Sequence, residues 1–318
     1  MNADTQASTE ENLLRLCNPR PQYQHVISWT AEYYGFGKQL RSYGLYPSFL
    51  PLCISTDHGP AQQDEPLKSE LNTEMPAMFY HSPRLVKRFR QLSKKKCYPL
   101  YSPFVFYRKK HNVTLFQDAL GTLAFPSHST PDIDDTSDVE AYIRSLLELP
   151  AKFQPVSVCL YFHDIVEKNL HRVFQRHGIP VYTAGHPSSP DFTSNFYSII
   201  RNFRYGTSNS AGSYLFYCIE MGMPFFLHGP EPILVNKTDQ NLATGVYNAK
   251  KEYKHYNKVV ELFGKQGTSI SNEQKEMVDI ELGLRSGISR VGFARILYGA
   301  LVRYYFRRII RKFNPRHV

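Results

Sequence analysis

A chain of 318 residues is too long for one ordinary core, and 42% hydrophobic with 21% charged residues is the balance of a folded protein rather than a disordered one. The formal charge of +10 comes almost wholly from nine Arg and Lys beyond Glu281, where no acidic residue stands. The rest of the chain is near neutral, which argues against a nucleic-acid-binding face. Five scattered cysteines without a Cys-x-x-Cys spacing exclude a disulfide framework and a zinc ribbon.

In chain order, residues 1–22 read as a polar lead-in lacking the apolar stretch of a secretion leader, and no run approaches the ~20 apolar residues of a membrane span, so a cytoplasmic setting is expected. Residues 25–29 read as a short strand, followed by a helical stretch to Gly44. Residues 49–56 form a second apolar run that stops at Asp57-His58-Gly59-Pro60, and a polar loop without order signals follows from 61 to 73. A strand at 77–81, a basic helix opened by Ser82-Pro83 and an apolar, proline-broken stretch at 98–106 complete a first α/β lobe, 23–118.

The second lobe, 119–235, has a cleaner alternation. Strands at 121–125, 156–162 and 180–184 end in Ser127-His128-Ser129, His163-Asp164 and His186-Pro187-Ser188. Helices are expected at 136–150, 167–177 and 195–203. A fourth strand end carries Thr207-Ser208-Asn209-Ser210-Ala-Gly212-Ser213, then a short helix stopped by Gly222 and a strand at 223–227. Apolar strands alternating with helices specify a parallel sheet covered on both faces, so the four polar strand ends converge on one edge. Ser208, Asn209 and Ser210 suit an N-cap, and a slim helix start is a ready site for phosphate. Residues 236–318 read as a helical extension, with a capping box at Ser271-x-x-Gln274.

His81, His111 and His255 read as locally satisfied histidines. His128 and His186 lie on the converging edge and are candidates for ligand contact. Metal-ligand spacings, a Gly-x-x-x-x-Gly-Lys-Ser/Thr loop, a Gly-x-Gly-x-x-Gly turn and a Gly-x-Ser-x-Gly elbow are all lacking, so a metal centre, ATPase, NAD-dehydrogenase and serine-hydrolase chemistry lose their usual support.

Two α/β lobes, with the second ending in Thr-Ser-Asn-Ser-x-Gly-Ser, a helix and Gly222-Met-Pro224, resemble the GT-B glycosyltransferases, whose lobes are Rossmann-like. More narrowly, Asp57-His58-Gly59, His186-Pro187 and the serine turn are similar to motifs of bacterial sialyltransferases and capsular polysaccharide glycosyltransferases. The resemblance implies an N-lobe general base at Asp57 or His58. It implies a nucleotide-sugar site at Ser127, His128, Ser129, His186, Pro187, Thr207, Ser208, Asn209, Ser210, Gly212 and Ser213; the place of the family's ribose-binding Glu, about five residues before Gly222, is held here by Tyr217, with Glu220 as the candidate replacement. It further implies a CMP-activated donor as substrate with no separate cofactor, a glycan or lipid-linked acceptor, and no metal. A nucleotide-sugar epimerase shares the two-lobed fold, and a non-catalytic membrane-surface adaptor is the alternative from another class.

In the tail, at about 100° per residue, Tyr298, Leu301, Val302, Tyr305, Phe306, Ile309, Ile310 and Phe313 fall on one half of a helix. Arg303, Arg307, Arg308, Arg311 and Lys312 fall on the other. Residues 295–313 are therefore expected to lie on an anionic membrane surface, making the protein peripheral on the inner face, unless the apolar half packs on a lobe.

Overall fold

A computed structural model describes residues 9–19, 26–60 and 62–313. Two parallel sheets organise the chain. The first contains β1 (Ser55–Thr56), β2 (Ala77–Tyr80) and β3 (Lys96–Pro99), in that spatial order and all parallel. β2 is buried along its whole length, between helix Pro83–Leu92 on one side and the rings of Phe36 and Phe293 on the other.

The second sheet is built from β4 (Thr122–Ala124), β6 (Val156–Cys159), β7 (Val181–Tyr182), β8 (Tyr205–Ser208) and β9 (Phe225–Leu227), with β5 (Ile133–Asp135) intervening in sequence but lying elsewhere. Its spatial order is β7-β6-β4-β8-β9, all parallel. Numbered within the sheet this is 3-2-1-4-5, the doubly wound order, and the winding direction reverses between β4 and β8. Side chains from both faces of these short strands, such as Leu123, Val158 and Phe226, are fully buried, as a parallel sheet covered on both sides requires.

Several expectations are corrected. Residues 26–28 are irregular and run into a 3₁₀ turn, Trp29–Ala31, rather than a strand; His25 lies outside the described residues. The polar lead-in contains helix Glu10–Cys17, whose Leu13 and Cys17 enter the core of the second lobe. A helical turn, Lys68–Leu71, interrupts the loop read as structureless. The region after Pro232 is not purely helical: β10 (Leu234–Asn236) and β11 (Gly245–Tyr247) pair antiparallel with each other, and β10 pairs with β5. These strands are only three residues each, below the length at which alternation is readable. The expected helix at 167–177 is shortened to Leu170–Arg176, starting after Asn169 with its positive φ of 54°, and the strand expected to 162 ends at Cys159, so that His163-Asp164 lie in a separate short helix, Phe162–Val166, rather than in a strand-end loop.

The lobes and the extension share one core. Phe104 of the first lobe stacks on Tyr217 of the second with ring centroids 4.3 Å apart, and Phe196 packs on both rings. Helices Lys254–Phe263 and Asn272–Glu281 add Tyr256, Phe263 and Val278 to that cluster. The last helix, Arg290–Phe313, returns to the first lobe, burying Phe293 and Leu297. Leu297 approaches Gly44 so closely that a Cβ there would lie 2.8 Å from its Cδ1.

Candidate active site

The carboxyl edges of both sheets face one another across a cleft of about 250 Å³. Its far wall comes from the residues that follow β4, β6, β7 and β8, and its near wall from Tyr34, His58, Gln62 and Phe104. The floor lies where β4 and β8 part, the place at which doubly wound sheets admit ligands.

The turn after β8 is more committed than its composition suggests. Thr207 is buried, its hydroxyl donating to the Phe226 carbonyl at 2.9 Å. The Ser208 hydroxyl sits 2.8 Å from the Tyr214 phenol and accepts from the Ser210 amide at 3.0 Å. Asn209 accepts from the Ser127 amide at 2.9 Å and donates to the Pro230 carbonyl at 3.2 Å. The Ser210 hydroxyl is within 3.3 Å of the Tyr256 phenol. None of these side chains caps the helix that follows. Helix Ser213–Met221 starts from Gly212 with no side-chain cap. The Leu215 amide donates to the Gly212 carbonyl at 3.2 Å, while the two N–H groups before it stand at the positive end of the helix dipole without a side-chain cap, and Gly212, Ser213 and Tyr214 line the cleft. Gly212 is required by contact: a Cβ there would fall 2.4 Å from the Tyr214 ring.

A second group points to a ligand in the same place. Tyr217 lies one turn along this helix, lines the cleft and is only 3% exposed, yet its hydroxyl makes no hydrogen bond of good geometry, with only a loose approach to Ser102. An unmade hydrogen bond at a buried hydroxyl costs about 1–3 kcal/mol. Tyr217→Phe is therefore expected to leave the unliganded melting temperature unchanged or higher while weakening any phosphate-bearing ligand. Melting curves with and without nucleotide read both effects, and a variant that melts lower with unchanged ligand shift would assign the hydroxyl to the fold.

Across the cleft, the Asp57-His58-Gly59 turn follows β1. The structure separates its two candidate bases. Asp57 is 2% exposed and turned inward: it accepts from the His81 amide at 3.1 Å and lies 2.5 Å from the His81 Nδ1. His58 instead faces the cleft. His58 is exposed at its own surface, but the crowding of the lobes around it hinders hydration of its charged form and lowers its pKa from the ordinary 6.5, with Asp57 pulling the other way and His81 adding to the depression. Gly59 has φ of +143°, and a Cβ there would stand 2.7 Å from the Ser213 hydroxyl. Gly59→Ala is thus expected to push the turn off the helix start and lower donor affinity at least tenfold, read by titration; unchanged affinity would show that the two loops do not need this approach.

Of the remaining candidates, His128 lines the cleft, its ring 4.4 Å from that of Tyr161, and burial drives its pKa down to about 4. Ser129 is buried, donating to Asp134 at 3.3 Å and accepting from the Asp135 amide at 3.0 Å, so it braces the loop. His186 does not line the cleft. Its Nδ1 accepts from the Ser188 amide at 3.1 Å, which directs the remaining ring proton to Nε2, and its ring packs 4.4 Å from Phe162. Pro187 does reach the first lobe: its carbonyl accepts from the Tyr34 amide at 2.7 Å. Glu220 sits at the other end of the helix, held bidentately by Arg108 at 2.6 Å through both oxygens.

Two cleft residues escaped sequence reasoning. Tyr34 adopts a left-handed φ of 58°, held by Pro187 and by the Thr193 hydroxyl on its carbonyl at 2.6 Å. Strain of this kind in a bulky residue collects at functional sites; the neighbouring Gly35 and Gly37 were its only signal in the sequence. Gln62 donates to the Ala211 carbonyl from the loop read as structureless. Among the described residues, the cleft lining has aromatic walls and no Lys, Arg, Asp or Glu. Among the described residues, no three His, Cys, Asp or Glu side chains converge as a metal site.

No family model matches the chain, and no curated protein matches it in sequence. Among solved structures it is similar to the pneumococcal O-GlcNAc transferase GtfA in complex with UDP and GlcNAc, at 12% identity over 87% of this chain and 55% of that one, with a TM-score of 0.33. It is also similar to the alpha,alpha-trehalose 6-phosphate synthase of Burkholderia multivorans, at 12% identity over 95% and 75% of the two chains and a TM-score of 0.35. The wall teichoic acid polymerase TagF matches at 10% identity over 81% and 63%, with a TM-score of 0.32. The chain thus spans about half the length of the GtfA chain.

Proposed function

We propose that this protein is a glycosyltransferase that moves a sugar from a nucleotide-activated donor to a glycan or lipid-linked acceptor of a surface polysaccharide. The observation that carries the reading is the cleft itself: a neutral histidine on one sheet edge faces an uncapped helix N-terminus on the other. Glycosyl transfer needs a base for the acceptor hydroxyl proton and fixed dipoles for the departing phosphate. His58 has the position and protonation state for the first task. The first turn of helix Ser213–Met221 and the Tyr217 hydroxyl supply the second without a metal. Aromatic walls suit the flat faces of a base and a sugar.

The lining favours a particular donor. With no lysine or arginine among the described residues of the cleft wall, and both His58 and His128 depressed toward the neutral form, the positive potential of that wall comes from one helix end. Such a site matches the single phosphate of a CMP-sugar better than the greater charge of a diphosphate. A thermal-shift panel of CMP, UDP, GDP and TDP tests this. CMP is expected to give the largest rise, and a larger rise with a diphosphate would redirect the donor assignment. Donor consumed only when an acceptor is present would mark a transferase, whereas consumption without acceptor would mark an epimerase or hydrolase. The lipid-linked form of the acceptor, with the protein working at the inner membrane surface, is supported by the last helix, which leaves Val302, Phe306, Ile309 and Ile310 exposed. No helix among the described residues is long and apolar enough to cross a membrane.

A further inference from the structure

The last helix is apolar on two opposite sides. One stripe, Phe293, Leu297 and Ala300, is about 1% exposed and packs on the first lobe, with Leu301 and Tyr304 beside it. The second runs through Tyr298, Val302, Tyr305, Phe306, Ile309 and Ile310, all between 43% and 67% exposed. At about 100° per residue the stripes lie roughly opposite one another, so the outer one is not a remnant of the packing face. Leu301, expected on the outer face, belongs to the inner one; the side chains of Arg311 and Phe313 lie outside the described residues.

Each flank of the outer stripe carries a feature that the tail alone does not have. On one flank the turn after helix Phe36–Tyr43 rises beside it. Tyr46 packs on Tyr298 with ring centroids 5.0 Å apart, while Leu45 and Phe49 of the same turn stand 71% and 83% exposed. Leu45 holds a left-handed φ of 50°, which turns it away from the lobe's own core. On the other flank is an open basin of about 680 Å³ between the tail helix and the start of β3, lined by Lys94, Lys95, Lys96, Arg303 and Arg307. Lys95 is tied to the carbonyls of Leu71 and Thr73. Lys94, Lys96, Arg303 and Arg307 are exposed and form no ion pair among the described residues.

We propose that these three features form one membrane-docking platform for an anionic bilayer. The outer stripe and the Leu45–Phe49 turn enter the acyl boundary as two neighbouring wedges, and the lysine–arginine basin holds lipid phosphates at headgroup level. This rests on the lipid-linked acceptor reading and extends it, because it recruits residues of the first lobe that no amphipathic pattern in the tail would nominate. The occupant follows from complementarity. An apolar ridge with cations alongside it matches a surface that is apolar inside and anionic at its rim, and each cation near such a surface strengthens binding about fivefold. Two wedges from different parts of the chain also fix an orientation, which a lone helix does not.

Vesicle flotation of the full chain tests this. Vesicles of phosphatidylcholine with phosphatidylglycerol should carry the protein up and release it in high salt, and vesicles of phosphatidylcholine alone should carry little. Phe49→Ser, at a fully exposed position, should weaken flotation about tenfold, and Lys94→Gln with Lys96→Gln should weaken it about 25-fold, each with an unchanged melting temperature. Phe49→Ser floating like the parent would overturn the two-wedge platform even if the tail binds. Equal flotation on neutral vesicles would remove the basin. A stable dimer by sedimentation that Phe49→Ser converts to monomer would reassign the patch to a second copy of the chain. Nucleotide-induced thermal shifts, measured in parallel, test the cleft independently, so failure on vesicles and failure of the transferase reading are separable.

Discussion

His58→Ala is expected to lower turnover by about 10²–10⁴-fold, the range for loss of a positioned general base, while the thermal shift given by nucleotide stays as in the parent. The division follows from geometry: His58 faces the cleft from the first lobe, whereas the helix N-terminus that would hold phosphate belongs to the second. Asp57→Ala should behave differently. It strips acceptors from the His81 amide and Nδ1, both buried, and should cost stability of about 1–3 kcal/mol for each group left unmade. A melting temperature that falls with Asp57→Ala and holds with His58→Ala would separate the positioning residue from the catalytic one. The pH dependence carries the same sign. A base acts when deprotonated, and the His58 pKa lies below 6.5, so kcat/KM should fall only on the acid side, with its half-point below 6.5. A half-point above 6.5, or equal turnover in both variants, would place the base elsewhere.

The parts of this fold legible in the sequence were those whose signal is periodic and local. β4, β6 and β9 lie where apolar runs end in polar loops, and the convergence of those loops follows from parallel pairing alone. The capping box at Ser271 and Gln274 is present, with bonds of 3.0 and 3.1 Å. What failed was a matter of partners rather than propensity. Ser208, Asn209 and Ser210 have N-cap chemistry, but the chain places them two to four residues ahead of the cap position at Gly212, and their oxygens and amides go to Ser127, Tyr214, Pro230 and Tyr256. A helix start left bare by its own serines can be seen only once those partners are placed. The pair Asp57 and His58 was equally ambiguous until the strand direction turned one inward and the other outward. Tyr34 carries no motif; its role comes from a left-handed backbone fixed by a loop some 150 residues further on in sequence. Glu220 was picked out as the acidic residue nearest the family's ribose position, which Tyr217 holds, a linear measure blind to Arg108, its partner 112 residues away.

That pair supports the second large effect. Arg108 and Glu220 meet through two parallel bonds of 2.6 Å, with side chains 16% and 5% exposed. The guanidinium also donates to the Val113 carbonyl at 3.2 Å, tying helix Pro103–Lys110 of the first lobe to helix Ser213–Met221 of the second. Glu220→Ala leaves the arginine half-buried without its counter-charge and is expected to cost about 3–5 kcal/mol, the upper part of that range moderated by the solvent that reaches Arg108. Arg108→Met with Glu220→Leu removes both charges and should recover most of the loss, since a well-packed apolar pair often equals a buried ion pair. The double variant is the informative one for function. If Glu220 were a nucleotide ligand, restoring stability would leave donor affinity impaired; if it is a clamp between lobes, affinity should return with the melting temperature. Donor titration of the double variant therefore decides between the two roles, and an affinity that stays low in a fully stable protein would return Glu220 to the binding site.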